Sequence, residues 1–192
     1  MPPERERVTV TSRAAWREWL EANHGRRGSI WLVSFKKGHA GHVPYATLRD
    51  EALCFGWVDS RPAKLDEARS MLLMSPRKRG SGWSGVNKAR VAALIEAGLM
   101  AAPGLAAVSA AKADGSWERL DTATALLPPD DLVAAFAAHA GSAAAFAAFP
   151  PSARRAILEW IAQAKRPETR AARVLETARC AARGERANSW RR

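Results

Sequence analysis

Apolar side chains recur along the chain first with a mixture of helical and strand periods and then with the helical period alone. In residues 13 to 24 Trp16, Trp19 and Leu20 share one helical face, Ser12 is placed to cap the start and Gly25 to stop the end. Residues 29 to 36 concentrate β-branched and aromatic side chains between Gly28 and Gly38, which predicts a strand. A second helix is expected from 44 to 55, with Pro44 at its start, Gly56 at its end, and Leu48, Ala52, Leu53 and Phe55 as its apolar contacts. WVDSRPAK (57 to 64) and RSMLLMS (69 to 75) then read as an antiparallel hairpin across LDEA. Pro62 cannot donate to a ladder, so the first of these strands is expected at an edge or broken there.

A third helix is predicted from Ser84 or Gly85 to Gly98, carrying Val91, Leu94 and Ile95, and a short fourth from 104 to 113, ending before Gly115. DTATALLPPDD (121 to 131) reads as a linker into alanine-rich helices over 130 to 139, 142 to 164 with a break at Phe149-Pro150-Pro151, and 168 to 183 after Pro167. The fold class is therefore α+β: a small antiparallel sheet packed with helices over 1 to 120, then an all-helical region over 121 to 192. Trp16, Trp19, Trp31, Leu53, Phe55 and Trp57 are the expected core of the front part.

Composition adds that 192 residues, 47% of them apolar, can bury a real core. Charge adds more. The chain carries 30 Lys plus Arg against 19 Asp plus Glu, and residues 150 to 192 hold 11 basic and 4 acidic side chains, +7 of the total +11. Such a field concentrates anionic partners, nucleic-acid phosphates or an acidic protein surface, with an attraction that salt weakens. An arginine-rich surface of merely compositional origin would read the same way. No stretch approaches the run of about 18 apolar residues that a membrane span needs. The two cysteines, Cys54 and Cys180, are far apart and fit a reduced compartment, so a cytoplasmic protein is expected.

The densest local chemistry is SPRKRGSGWSGVNK (75 to 88). Arg77, Lys78, Arg79 and Lys88 bring positive charge, Ser81 and Ser84 bring hydroxyls, Gly80, Gly82 and Gly85 let backbone N–H groups approach a ligand, Trp83 can anchor the loop, and a helix starts directly behind. This suits an anion. It is not a P-loop, because the Lys-Ser/Thr pair is replaced by Val86-Asn87. Nor is it a nucleophile elbow, because Gly82-Trp83-Ser84-Gly85-Val86 lacks the last glycine.

A second basic element places Arg166, Arg170 and Arg173 at three- to four-residue spacing on one helix face, as a polyanion-binding set, with Glu168 and Glu176 able to bridge arginines of the same helix. Asp59 and Arg61, two apart on a strand, are expected on the same face and paired. Cys54 at the end of an apolar helix reads as core, since a helix C-terminus disfavours a thiolate. His39 and His42 lack further local ligands, so no metal and no cofactor is expected. His24 and His139 sit where a helix C-terminus would favour them.

The blocks WREWLEANH (16 to 24), IWLVSFKK (30 to 37), EALCFGWVDS (51 to 60), SPRKRGSGWSGVNKARV (75 to 91), AGLM (97 to 100), AKADGSW (111 to 117) and AKRPETRAAR (164 to 173) occur in an order that resembles the YdeI/OmpD-associated, or bacteriocin-protection, proteins. The resemblance implies a cytoplasmic bacterial protein associated with stress or with resistance to antimicrobial peptides, and it supplies no catalytic set. Two functional classes follow. One is a non-enzymatic, anion-binding accessory protein using the 77 to 88 loop and the last helix. The other is a small-molecule enzyme with a pocket lined by Trp31, Trp57 and Trp83, Asp59 as acid or base, and Arg61 or Lys36 holding an anionic substrate. The oligomeric state has no signature in the chain.

Overall fold

The structure, a computed structural model, describes residues 5 to 189. The chain forms two compact units: one runs to Ser81 and resumes over Val86–Asp114, the other comprises Gly82–Gly85 and the chain from Gly115 onward. The first contains β1 (Arg7–Thr9), α1 (Arg13–Asn23), β2 (Ile30–Phe35), α2 (Tyr45–Cys54), β3 (Trp57–Lys64), β4 (Arg69–Pro76), α3 (Gly85–Glu96, from Val86 on) and α4 (Ala102–Ala113). Helix α1 starts as its sequence dictates, with the Ser12 hydroxyl accepting from the Ala15 N–H at 3.1 Å.

The fold is α+β, and its sheet has the order β1-β2-β4-β3. β2, β4 and β3 are antiparallel neighbours, as the hairpin pattern predicts, but β1 lies parallel to β2 and makes the sheet mixed rather than purely antiparallel. A three-residue strand is too short for a two-residue period to show, which is why β1 escapes the sequence pattern. Pro62 sits on the edge strand, and the register shifts between Asp59 and Pro62. Asp59 pairs with Met74 and Pro62 with Leu72, so β3 spends one residue more than β4 over the same stretch. This bulge sets which face each following side chain takes.

Trp16, Leu20, Leu48, Leu53, Phe55, Trp57, Ile30, Leu32 and Met74 are buried. The indole N–H of Trp16 donates to the Leu48 carbonyl at 2.9 Å, tying α1 to α2. Trp19 and Trp31, expected in the core, are only half-buried. Trp19 stacks on Trp16 and meets the edge of Trp57, with centroids 5.3 and 5.5 Å apart. Trp31 lies on the opposite sheet face from Trp57, because their β4 partners, Leu73 and Pro76, are an odd number of residues apart. Gly104 lets α4 approach the end of α2: a Cβ there would lie 2.2 Å from the Cys54 carbonyl oxygen.

In the second unit α5 (Asp121–Thr124), α6 (Asp130–Ala137), α7 (Ser142–Ala148), α8 (Pro151–Ala162) and α9 (Pro167–Ala182) surround a core of Leu132, Phe136, Phe146, Ile157, Leu158, Ile161, Val174 and Ala178. The break between α7 and α8 falls at Phe149-Pro150, where proline removes a donor. The stretch read as a linker holds one helical turn, α5, which puts Ala123 into the core. Among the described residues, no helix is long and apolar enough to cross a membrane.

Candidate functional site

The basic loop divides by direction. Lys78 and Arg79 are exposed. They stand on a turn closed by Ser81, whose N–H and hydroxyl both donate to the Lys78 carbonyl, at 3.1 and 2.7 Å, while Gly80 takes φ +71°. Arg77 turns inward instead. Its N–H donates to the Gly56 carbonyl at 2.9 Å, and burial pushes its guanidinium down to about 10, with the charge of Asp59 opposing the shift.

Further along, the glycines serve packing. A Cβ on Gly82 would lie 2.8 Å from Leu120, and one on Gly85 would lie 2.9 Å from Thr124. Trp83 is buried with its ring 4.9 Å from that of Trp117. These three residues, with Leu120 and Thr124, belong to the second unit. The sequence singled out the glycines for ligand approach; their bare Cα faces meet side chains of the protein itself. Ser84 and Lys88 are half-buried in the same stretch.

Asp59 and Arg61 are not paired. Asp59 lies on the face of Trp57 and Met74, where the Tyr45 hydroxyl of α2 donates to it at 2.8 Å. The bulge flips Arg61 to the other face, and its guanidinium stacks 5.3 Å over the Trp31 ring. Trp31 and Trp57 consequently cannot line one pocket. Partial burial and the bond to Asp59 together raise the Tyr45 phenol above its ordinary range. Beside it, Arg49 stands 5.7 Å over the Tyr45 ring and shares Asp50 with Arg90, at 3.0 and 2.5 Å. Burial acts to raise the Asp50 carboxyl, but the hydrogen bonds from Arg90 and Arg49 outweigh it and hold it below the usual carboxylate range. Lys36, the other suggested anion holder, donates to the carbonyls of Asp66 and Glu67 at 3.0 and 2.9 Å.

On the last helix, two of the three expected polyanion contacts are committed elsewhere. Arg170 does not bridge within α9 but reaches Asp131 of α6, with Nε and Nη2 at 2.6 and 3.0 Å. Arg173 stacks 4.9 Å over the Trp160 ring and donates to the Trp160 carbonyl. Arg166 is exposed at the N-cap of α9. His139 behaves as its position suggests, its Nδ1 2.9 Å from the Ala135 carbonyl at the end of α6. His24 caps α1 and stacks on Phe55, with centroids 6.4 Å apart. The His39 ring stacks on Phe35 at 3.8 Å, and His42 Nδ1 lies 2.7 Å from the Phe35 carbonyl.

Sequence reading missed Glu51. It sits on α2 among residues classed as apolar contacts, is 1% exposed, and is held by Arg13 and Arg17 of α1 at 2.5 and 2.9 Å. The signal was available in pattern: Glu51 falls beside Leu48 and Ala52 on the inward side, while Arg13 and Arg17 are four apart on one face of α1. Cys54 lies close by and is fully buried; burial first, and then the charge of Glu51, push its thiol up to about 11. Cys180 is only half-buried, 3.6 Å from Arg183 Nη2. A thiol reagent at neutral pH should therefore label Cys180 first and Cys54 only on unfolding, read by mass spectrometry of the labelled peptides. Rapid labelling of Cys54 in the folded protein would show that α2 opens readily.

Residues 8–107 match the family model described as Domain of unknown function (DUF8412), and residues 126–184 match the one described as Bacteriocin-protection, YdeI or OmpD-Associated. Among curated proteins and solved structures nothing matches the chain. Of the sequence blocks that carried the resemblance, the one at 164 to 173 falls in the second match, and those at 16 to 24, 30 to 37, 51 to 60, 75 to 91 and 97 to 100 fall in the first. With more than half of its 192 residues in the first match, the chain belongs to the DUF8412 family, and in its helical part it carries the domain of the bacteriocin-protection, YdeI or OmpD-associated family.

Proposed function

We propose that the protein is a non-enzymatic, cytoplasmic accessory factor of bacteriocin protection that binds a polyanionic partner through displayed cations. The observation that carries this reading is the turn at 78 to 81. Two exposed positive side chains stand on a backbone whose geometry is fixed by two hydrogen bonds to one carbonyl. With the backbone already fixed, only the two side chains remain to be ordered on meeting an anion, and the loop itself adds no ordering cost. The +7 carried by residues 150 to 192 supports the reading by raising the local concentration of anions. The groups that would have served an enzyme are occupied in ways that support binding over reaction: Cys54 is buried as a thiol, and Asp59 accepts from Tyr45.

The test is a salt series. Replacing Lys78 and Arg79 by Ala should weaken binding to heparin or duplex DNA and flatten the dependence of log K on log salt by up to about two phosphate contacts' worth of slope. The melting temperature should hardly move, because neither side chain is packed. Adding Arg77→Ala should change stability more than slope, since that side chain faces inward. An unaltered slope in the Lys78/Arg79 variant would overturn the reading.

A further inference from the structure

The sheet of the first unit carries a second apolar face. Helices α1 and α2 lie on the face of Trp57 and Asp59, where Trp19 meets Trp57 and Tyr45 donates to Asp59. On the reverse face the register sets Trp31 beside Leu73, Val33 and Ala63 beside Met71, and Val58 beside Ser75. An antiparallel sheet that shows one face to water ordinarily places polar side chains there. Here Trp31, Val58, Ala63, Met71 and Leu73 stand on that face, and all five are only half-buried. The Phe35 end of the face is closed by its own loop, since His39 stacks on Phe35 at 3.8 Å and Gly41 fits against Phe35 and Thr11. The Trp31 end is different: its ring is met by the guanidinium of the exposed Arg61 at 5.3 Å. The strand residues of this face include Arg7, Arg61 and Arg69 and no Asp or Glu. Arg69 is paired with Asp66 at 2.6 Å, whereas Arg61 holds its charge over the Trp31 ring. β4 then runs straight into the turn that displays Lys78 and Arg79. Leu73, opposite Trp31, lies five residues before Lys78 in the same unit, at most about 18 Å away.

We propose that this sheet face binds a single-stranded nucleic acid: an unpaired base stacks on Trp31, Arg61 turns from the ring to the neighbouring phosphate, and Lys78 and Arg79 hold phosphates further along. The inference rests on the polyanion reading and names the polyanion. An aromatic ring flanked by positive charge on an open sheet matches a chain of flat apolar bases joined by phosphates. A duplex keeps its base faces inside its own stack, so it could meet the cations but not the ring. A second copy of this chain fits poorly, because a two-fold contact would set Arg61 and its neighbours against the same arginines.

Fluorescence anisotropy of a labelled oligothymidylate of about 16 nucleotides, the upper site size of a single-strand-binding module, tests this on the full chain. The single strand should bind more tightly than a duplex of the same length, although the duplex carries more phosphates. Trp31→Leu should weaken the single strand about tenfold with its salt slope unchanged, because a stacking contact is lost and no charge is. Heparin, which has charge but no bases, should lose far less. Arg61→Gln should flatten the single-strand slope by about 0.7, the share of one phosphate. Urea midpoints establish that the variants fold, and Arg61 is exposed, so its variant keeps the test decisive should Trp31→Leu not fold. Preference for the duplex, or single-strand binding unchanged in either folded variant, would overturn the proposal. So would Trp31-dependent binding of polyglutamate or of anionic lipid vesicles without binding of oligothymidylate, which would give the face to an acidic protein or a lipid surface. An unaltered heparin slope in the Lys78/Arg79 variant would sink the polyanion reading itself. A flattened heparin slope there, together with single-strand binding indifferent to Trp31 and Arg61, would sink this inference alone.

Discussion

Replacing Trp57 by alanine should destabilise the first unit by about 3 to 5 kcal/mol, the range for truncating a fully buried aromatic side chain. Trp57 is 0% exposed, the ring of Trp19 meets it edge-on at 5.5 Å, and its indole N–H reaches the His24 carbonyl at 3.4 Å. Truncation therefore removes dispersion contacts to α1 and weakens the tie between β3 and the end of that helix. The surroundings cannot close the gap easily, because α1 is already pinned to α2 by the Trp16–Leu48 hydrogen bond. Urea unfolding followed by circular dichroism should show the midpoint falling with little change in slope. Trp31→Ala, on the opposite face and half-buried, should cost clearly less. Equal losses at the two positions would mean that the sheet is covered as tightly on the Trp31 face as on the Trp57 face.

The contrast between these two tryptophans shows where the sequence is legible and where it is not. Element type follows from period and punctuation, so α1, β2, α2, the β3–β4 hairpin and the helices after 130 stand close to where the pattern places them. Which face a residue takes depends on register, and register is decided by partners that are remote in sequence. Trp31 and Trp57 look alike as strand aromatics, yet pairing with β4 sends them to opposite sides. Pro62 announced an irregular edge strand, but a proline does not say where an extra residue is inserted. Only the observed shift between Asp59 and Pro62 separates Asp59 from Arg61.

The candidate site divides in the same way. That residues 77 to 79 carry charge is a property of the residues themselves; that Arg77 points inward while Lys78 and Arg79 point outward is a property of the turn. Gly82 and Gly85 read in the sequence as places where a ligand could approach the backbone. What approaches them, Leu120 and Thr124, lies some 40 residues on. Arg170 and Arg173 share a helix face as their spacing requires, but α6 and Trp160 reach them before any anion does. A helical wheel has no term for neighbours on other helices. A cavity lined by Thr122, Leu127, Leu158, Ile161 and Arg170 was invisible for the same reason, since its walls come from α5, the turn after it, α8 and α9.

The largest electrostatic effect should come from Glu51, and from its partners more than from the residue itself. The carboxylate is 1% exposed, whereas Arg13 and Arg17 are 53% and 32% exposed. Removing Glu51 leaves two guanidiniums that can turn to water, so Glu51→Leu, which keeps an apolar side chain of similar reach, should be tolerated at modest cost. Removing both arginines is different: it strands a buried carboxylate, and the double variant Arg13→Ala/Arg17→Ala should lose about 3 to 5 kcal/mol. Part of that loss belongs to Arg17 alone, which also donates to the Leu99 carbonyl at 3.3 Å and stacks 5.2 Å over Phe55. The triple variant, with Glu51→Leu added, separates the two contributions. If the stranded charge dominates, the added leucine should restore stability even though it restores no contact to α1, so the interaction free energy in the cycle must be large and of that sign. A triple variant no more stable than the double would show that the arginines act by packing on Phe55 and Leu99, and that the Glu51 carboxylate finds another partner when they are gone.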